Sequence, residues 1–194
     1  MKIVVFSSHN GSDLQAIIDG CNDGRLNASV VAVISNNSGS YALTRSKEQG
    51  IDTYYISDKE YSDVNAEILK VLDSYNPDIV FLAGYLKKVD KSIIQKYHNR
   101  IFNIHPALLP KYGGKGMYGI NVHKAVIDAK ESETGITIHR VSEIFDDGEI
   151  IDQRKVPVDG ITDPEELAAK VLEEEHIFIV DVLKNIVDGK VSLG

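Results

Sequence analysis

The sequence predicts a doubly wound α/β fold, a single domain with a mostly parallel, Rossmann-like sheet. Short apolar runs alternate with helical patterns through the first hundred residues, and in each pair the apolar run comes first, as in parallel sheets covered by helices. A turn containing Gly11 follows the first run, at a position where such sheets can bind ligands. At 194 residues, the chain has the length of one domain with one core.

Five strands and four helices are predicted in the first part of the chain. The predicted strands are Lys2–Ser7, Val30–Ser35, Thr53–Ile56, Ile79–Ala83 and Ile101–Ile104. The predicted helices lie near Leu14–Cys21, Tyr41–Gln49, Asp63–Tyr75 and Asp90–Tyr97. In the first helix, Leu14, Ile17, Ile18 and Cys21 recur at helical spacing, which predicts a core thiol at Cys21 instead of a nucleophile.

The alternation of apolar runs and helical patterns ends after His105. The segment PALLPKYGGKGMYG contains two Pro and four Gly, which discourage regular structure, and loops of this length in compact domains are often functional. The pattern after this loop predicts four more elements: a helix near Val122–Ala129, strands at Gly135–Val141 and Ile150–Val158, and a long helix from Pro164 to Val187. Thr162 or Asp163 is predicted to cap the long helix. No repeat or linker marks a second domain, so residues 1–194 are predicted to form one.

Composition excludes several classes of function. A net charge of −8 argues against a broad nucleic-acid surface. No apolar run approaches the roughly 18 residues of a membrane span. The single cysteine cannot form an internal disulfide, and the chain opens on a strand-like segment without a leader, so we expect a cytoplasmic protein. The six His are scattered without zinc-site spacing, and no metal is expected.

The turn SSHNGSDLQAI predicts a phosphate site, because backbone N–H groups at a helix N-terminus attract anions. It lacks the glycines of G-x-G-x-x-G and the lysine of a P-loop, which disfavours dinucleotides and triphosphates. The alternative is a simple capped turn, with Ser12 or Asp13 as the N-cap.

Two further signals concern catalysis. Asn103 and His105 end the fifth strand two positions apart, so both side chains project to one side and could stabilise an oxyanion. Asp146 and Asp147 form an acidic turn between the last two strands. A carboxylate beside His105 would favour the protonated imidazole and assist proton transfer. Taken singly, these residues are more often structural or solvated.

Longer segments carry a resemblance. NIHPALLPKYGG, followed about thirty residues later by IHRVSEIFDDG, resembles the folate-dependent formyltransferase family. SSHNGSDLQAI, LAGYLKKV and EEEH resemble the branch acting on glycinamide ribonucleotide, and the likeness spans essentially the whole chain. It implies formyl transfer from the co-substrate 10-formyltetrahydrofolate to the amine of 5′-phosphoribosylglycinamide, in de novo purine biosynthesis, with small-molecule substrates and a homodimer left open.

The resemblance also implies residue roles. Asn103, His105 and Asp146 match the catalytic residues, with His139 in support. The residues implied to bind the ribonucleotide are Asn10, Gly11, Ser12, Asp13 and Glu175. Those implied to bind the folate are Leu86, Lys87, Val89, Val141 and Phe145.

Some positions depart from the family pattern. Asp13 stands where relatives usually have Asn, and Lys87 where they often have Arg, which weakens the expectation of a bidentate contact to the folate tail. The long loop suggests that Lys111, Lys115 and Tyr118 shape the substrate mouth. Residues 1–100 are expected to serve the phosphate substrate, and residues 101–194 catalysis and folate. The alternatives are a sugar-nucleotide N-formyltransferase and a non-catalytic nucleotide-binding module.

Overall fold

A computed structural model describes residues 1–194 and contains the predicted alternation of strands and helices. The strands are β1 Lys2–Phe6, β2 Ser29–Ser35, β3 Asp52–Tyr55, β4 Ile79–Leu82, β5 Ile101–His105, β6 Glu133–Arg140 and β7 Ile150–Pro157. The helices are α1 Ser12–Asn22, α2 Tyr41–Glu48, α3 Val64–Tyr75, α4 Lys91–Lys96, α5 Ile120–Asp128 and α6 Pro164–Val187.

All seven strands form one sheet in the order β3-β2-β1-β4-β5-β6-β7. The first five are parallel, whereas β6 runs antiparallel to β5 and β7 antiparallel to β6. The sequence order reverses direction between β1 and β4, and ligand crevices form at such switch points. The predicted doubly wound, mostly parallel fold is confirmed.

Helices cover both faces of the sheet, which explains why the central strands are apolar without interruption. Alternate residues of β1 point to opposite faces. Ile3 and Val5 belong to the larger core, with α1, α5 and α6, while Val4 and Phe6 belong to the smaller core, with α3 and α4. Cys21 is half-buried and packs against the larger core, as predicted. None of the helices is long and apolar enough to cross a membrane.

Helices α6 and α1 begin in different ways. Asp163 caps α6 by accepting a hydrogen bond from the Glu165 N–H, with Pro164 in the first turn. The capping residue of α1 is Gly11, and no side chain caps that helix. The prediction of Ser12 or Asp13 as N-cap was wrong, because the chain turns through a left-handed residue at Gly11 (φ 71°), so Ser12 already lies inside the helix.

The long loop after β5 is anchored on the neighbouring strands. Thr137 on β6 donates its hydroxyl to the Ala107 carbonyl at 2.6 Å and accepts the Leu109 N–H at 3.1 Å. Gln153 on β7 donates to the Leu109 carbonyl at 3.0 Å. The first half of the loop is therefore tied to the antiparallel end of the sheet, and its glycine-rich second half reaches the ligand edge.

We predict that Gly11→Ala destabilises the fold more than Gly50→Ala does. Both glycines have φ +71°, so each alanine incurs a left-handed cost of roughly 1–2 kcal/mol. A Cβ at Gly11 would also lie 2.7 Å from the Ala42 Cβ, whereas a Cβ at Gly50 meets no atom within 4 Å. Urea unfolding should give Gly11→Ala a further loss of roughly 1–3 kcal/mol, the usual cost of overpacking. Equal losses would mean that α1 and α2 separate freely at this turn.

Candidate active site

One cavity of about 540 Å³ lies at the carboxyl edge of the sheet, where β1, β4 and β5 end. Asn103, His105, His139 and Asp146 line it together. The residues implied by the resemblance to bind the two substrates also line it: Asn10, Gly11, Ser12, Asp13, Glu175, Leu86, Lys87, Val89, Val141 and Phe145. Sequence positions up to 165 residues apart therefore converge in one crevice, from Asn10 to Glu175.

Asn103 and His139 meet because they are directly opposite on the antiparallel strands β5 and β6. A register shift between Ile138 and His139 in the β6–β7 pairing marks the end of regular pairing at this position. The Asn103 Nδ2 donates to His139 Nε2 at 3.0 Å, and His139 Nδ1 donates to the Arg140 carbonyl at 2.8 Å. Asn103 keeps a second amide hydrogen for a ligand.

The surroundings of His105 specify its tautomer. Its side chain is 5% exposed, and its Nε2 donates to the Tyr112 carbonyl at 2.8 Å. Because a carbonyl oxygen only accepts, the proton of neutral His105 resides on Nε2, leaving a lone pair on Nδ1. That Nδ1 lies 3.7 Å from Asp146 Oδ2. His105 is therefore arranged to accept a proton on Nδ1, beside a carboxylate.

Asp146 lies between the two histidines. Its Oδ1 is 3.6 Å from His139 Nε2, and its Oδ2 accepts the Gly114 N–H at 2.8 Å. Its backbone has φ 55°, a left-handed conformation that Asp tolerates better than most residues. Burial opposes ionisation, but His139, His105 and the Gly114 N–H outweigh it and lower the pKa of this carboxyl below its usual range.

Burial lowers the pKa of His105 below its ordinary value, against the opposing influence of Asp146. Asp146 favours the protonated ring, as expected, but burial of the ring outweighs this influence in the free protein. The attraction exists, but the loss of hydration in the cavity wall is larger. In the resting state at neutral pH, His105 is mainly neutral.

The loop contacts of the site could not be predicted from side-chain identity. Tyr112 and Gly114 contribute a backbone carbonyl and a backbone N–H, which every residue type carries. Lys115 and Tyr118 line the cavity as predicted. Lys111 does not, because its ammonium pairs with Glu131 at 2.8 Å, and its predicted role at the mouth was wrong.

The rim beside the acidic turn is apolar. Leu86, Tyr118, Ile144 and Phe145 are all exposed, and all line the cavity. Such a rim suits a flat aromatic ligand, since exposed apolar side chains grouped around a cavity commonly mark binding sites. Ile144 was not predicted to bind a ligand, although its place directly before Phe145 and the acidic turn was a signal for it.

Glu175 and Asp13 face the same end of the cavity as the Gly11 turn, on α6 and α1. Glu175 is only 8% exposed. Burial raises the pKa of both carboxyls. The run Glu173–Glu175 therefore contains one carboxyl directed inward. The structure has no group of three or more His, Cys, Asp or Glu side chains placed to hold a metal ion.

The chain is similar to known proteins over nearly its whole length. The model of the family described as formyl transferase matches residues 1–183. The phosphoribosylglycinamide formyltransferase of Escherichia coli (strain K12) is 34% identical over 196 residues, which are 100% of this chain and 90% of that protein. The chloroplastic phosphoribosylglycinamide formyltransferase of Arabidopsis thaliana is 41% identical over 195 residues, 98% of this chain and 67% of that protein.

A solved structure gives the same result. The crystal structure of glycinamide ribonucleotide transformylase 1 from Symbiobacterium toebii superposes with a TM-score of 0.90 at 33% sequence identity. The alignment covers 97% of this chain and 88% of that chain. The family match over residues 1–183 includes every strand and turn that lines the cavity.

We predict that the pKa of His105 lies below the ordinary value for histidine and that Asp146→Asn lowers it further, because the carboxylate is the main influence that raises the pKa of this imidazole. Long-range ¹H–¹⁵N NMR of the histidine rings measures both tautomer and midpoint. Asp147→Asn is the matched control, since Asp147 is exposed and outside the cavity. A midpoint that is unchanged or raised in Asp146→Asn would contradict the assigned contact.

Proposed function

The chain belongs to the formyl transferase family, and we propose that its cavity transfers a formyl group from 10-formyltetrahydrofolate to the amine of 5′-phosphoribosylglycinamide. It is an enzyme, a formyltransferase of purine biosynthesis like the relatives it matches. The observation that carries the site assignment is the cluster of Asn103, His105 and Asp146 within one cavity, with an anion-favouring helix start at one end.

Both substrates would meet in this one cavity. Its volume of about 540 Å³ is within the usual range for ligand sites, roughly 300–1,000 Å³. The phosphate would lie against Gly11 and Ser12, where the first-turn N–H groups of α1 have no side-chain cap. The folate would occupy the apolar rim near Leu86 and Phe145. Binding both in one orientation can contribute roughly 7–11 kcal/mol to lowering the barrier.

Asn103 would stabilise the charge that forms on the formyl oxygen. As the amine nitrogen bonds to the formyl carbon, the carbonyl electron pair moves onto oxygen. The amide hydrogen of Asn103 that His139 does not use can donate to this oxyanion. Because His139 holds the amide in place, no reorganisation is needed when the charge appears.

His105 would carry the proton. The attacking amine has a proton to lose, and the Nδ1 lone pair of neutral His105 can accept it. The resulting imidazolium lies beside Asp146, whose carboxylate stabilises it. When the bond between the formyl carbon and N10 of the folate breaks, the same proton moves to N10. No covalent intermediate with the protein is needed.

The roles predicted for residues 1–100 and 101–194 remain a prediction. Leu86, Lys87 and Val89 belong to the first half, so a folate in the proposed position would contact both halves. The alternatives, a sugar-nucleotide N-formyltransferase and a non-catalytic nucleotide-binding module, are not favoured. The matched relatives are named for phosphoribosylglycinamide, and a binding module leaves the catalytic cluster without a purpose.

The direct test is an assay of formyl transfer to 5′-phosphoribosylglycinamide with 10-formyltetrahydrofolate as donor, in which product formation is measured. We expect turnover with this acceptor. An amino-sugar nucleotide serves as the competing acceptor. Transfer to the sugar nucleotide and none to phosphoribosylglycinamide would overturn the proposed substrate while retaining the formyltransferase chemistry.

Asp146→Asn should lower kcat by about 10²-fold or more, the scale of a positioned acid–base or oxyanion-stabilising group, with a much smaller change in KM. The amide keeps an oxygen for the Gly114 N–H but cannot stabilise the His105 imidazolium. Asp147→Asn should keep wild-type kcat. Steady-state kinetics of the two variants gives kcat and KM for each. Loss of activity in Asp147→Asn alone would assign the catalytic carboxylate to Asp147 instead of Asp146.

A further inference from the structure

Three ionisable side chains lie together under the Gly11 turn. Glu175 lines the cavity, is 8% exposed and accepts no hydrogen bond from the chain. Asp13 Oδ1 and His176 Nε2 are buried, lie 3.7 Å apart and have no hydrogen-bond partner. A buried polar atom without a partner from its own chain is costly, so these atoms are placed to receive one from a ligand or water.

Asp13 and Glu175, the acid pair, have no basic partner other than His176. The charged groups that act on the pair are His176, which acts on Asp13, and Asp13, which acts on Glu175. The other ionisable groups on adjoining elements or in the cavity form no ion pair with the acid pair: Arg45 on α2, His123 on α5, Arg154 on β7, His9, Lys87, Lys88, Lys115, His105, His139 and Asp146.

This arrangement conflicts with an anionic ligand if both carboxyls are ionised. A phosphate at Gly11 and Ser12 would lie directly beside Asp13 in the same helical turn. Like charges in a poorly hydrated site repel strongly. A proton on one carboxyl removes a negative charge and turns an acceptor into a hydrogen-bond donor.

We propose that the acid pair is a proton-linked binding element: it holds one proton when a phosphate ester occupies the Gly11 turn, and the neutral carboxyl donates a hydrogen bond to that ligand. Burial favours this state, since it raises the pKa of Asp13 and Glu175 alike. The proposal rests on the proposed function, which places the phosphorylated substrate at this end of the cavity.

The test is calorimetric binding of 5′-phosphoribosylglycinamide to the full chain between pH 6.5 and 9, for wild type and for Asp13→Asn. Asn has nearly the shape of Asp and needs no proton. Above the apparent pKa of the pair, wild-type Kd should rise about tenfold per pH unit, as one-proton linkage requires. In Asp13→Asn this rise should disappear, leaving only the shallower dependence due to ionisation of the phosphate. Glu175→Gln should behave similarly.

Glu174→Gln is the matched control, because Glu174 is the partly exposed neighbour that pairs with Arg154 and does not line the cavity. Its Kd should follow wild type at every pH. Equal pH dependence in wild type, Asp13→Asn and Glu175→Gln would overturn the proton-linked pair and leave the proposed function intact. Absence of binding at any pH, with a folate analogue still bound, would overturn both.

Discussion

The ionised, largely buried carboxylate of Asp146 is the constraint on which the site depends. A charge removed from water must be compensated: Asp146 accepts the Gly114 N–H, and its two oxygens lie 3.7 Å from His105 Nδ1 and 3.6 Å from His139 Nε2. These partners belong to the loop after β5, to β5 itself and to β6. The glycine-rich loop, the strand ends and the acidic turn are therefore held in one arrangement.

The turn that carries Asp146 is itself tightly packed. A Cβ at Gly148 would collide with the Arg140 carbonyl, so the chain leaves the turn through a residue without a side chain. The Arg140 N–H bonds the Glu149 carbonyl at 2.8 Å, which closes the turn. The left-handed backbone at Asp146 is maintained by this surrounding structure, and it directs the carboxylate into the cavity.

Two opposing effects act on the pKa of His105, and each favours a different protonation state of the ring. Burial favours the neutral ring, which has a lone pair on Nδ1 ready to accept a proton, while the neighbouring carboxylate favours the charged ring. The first effect dominates in the free protein. The second becomes useful once a proton has arrived, and this balance allows one imidazole to take a proton and return it.

The sequence alone predicted the elements and side chains that follow from periodicity and spacing. Asn103 and His105, two positions apart at a strand end, were predictable as a pair, and the helix of Pro164–Val187 from its cap and apolar pattern. Backbone partners such as the Tyr112 carbonyl have no sequence signature. The net pKa shift of His105 depends on the balance between burial of the ring and its attraction to Asp146. The position of the Lys111 ammonium depends on its ion pair with Glu131, twenty residues away in sequence. Neither property followed from the local sequence pattern.

The most direct test of this account is a crystal structure with 5′-phosphoribosylglycinamide and a folate analogue that cannot transfer its one-carbon group. The account predicts the substrate amine within hydrogen-bond reach of His105 Nδ1, and the oxygen matching the formyl oxygen beside Asn103 Nδ2, with the phosphate against Gly11. An amine directed away from His105, with no water linking the two, would contradict the assignment of His105 as the residue that carries the proton.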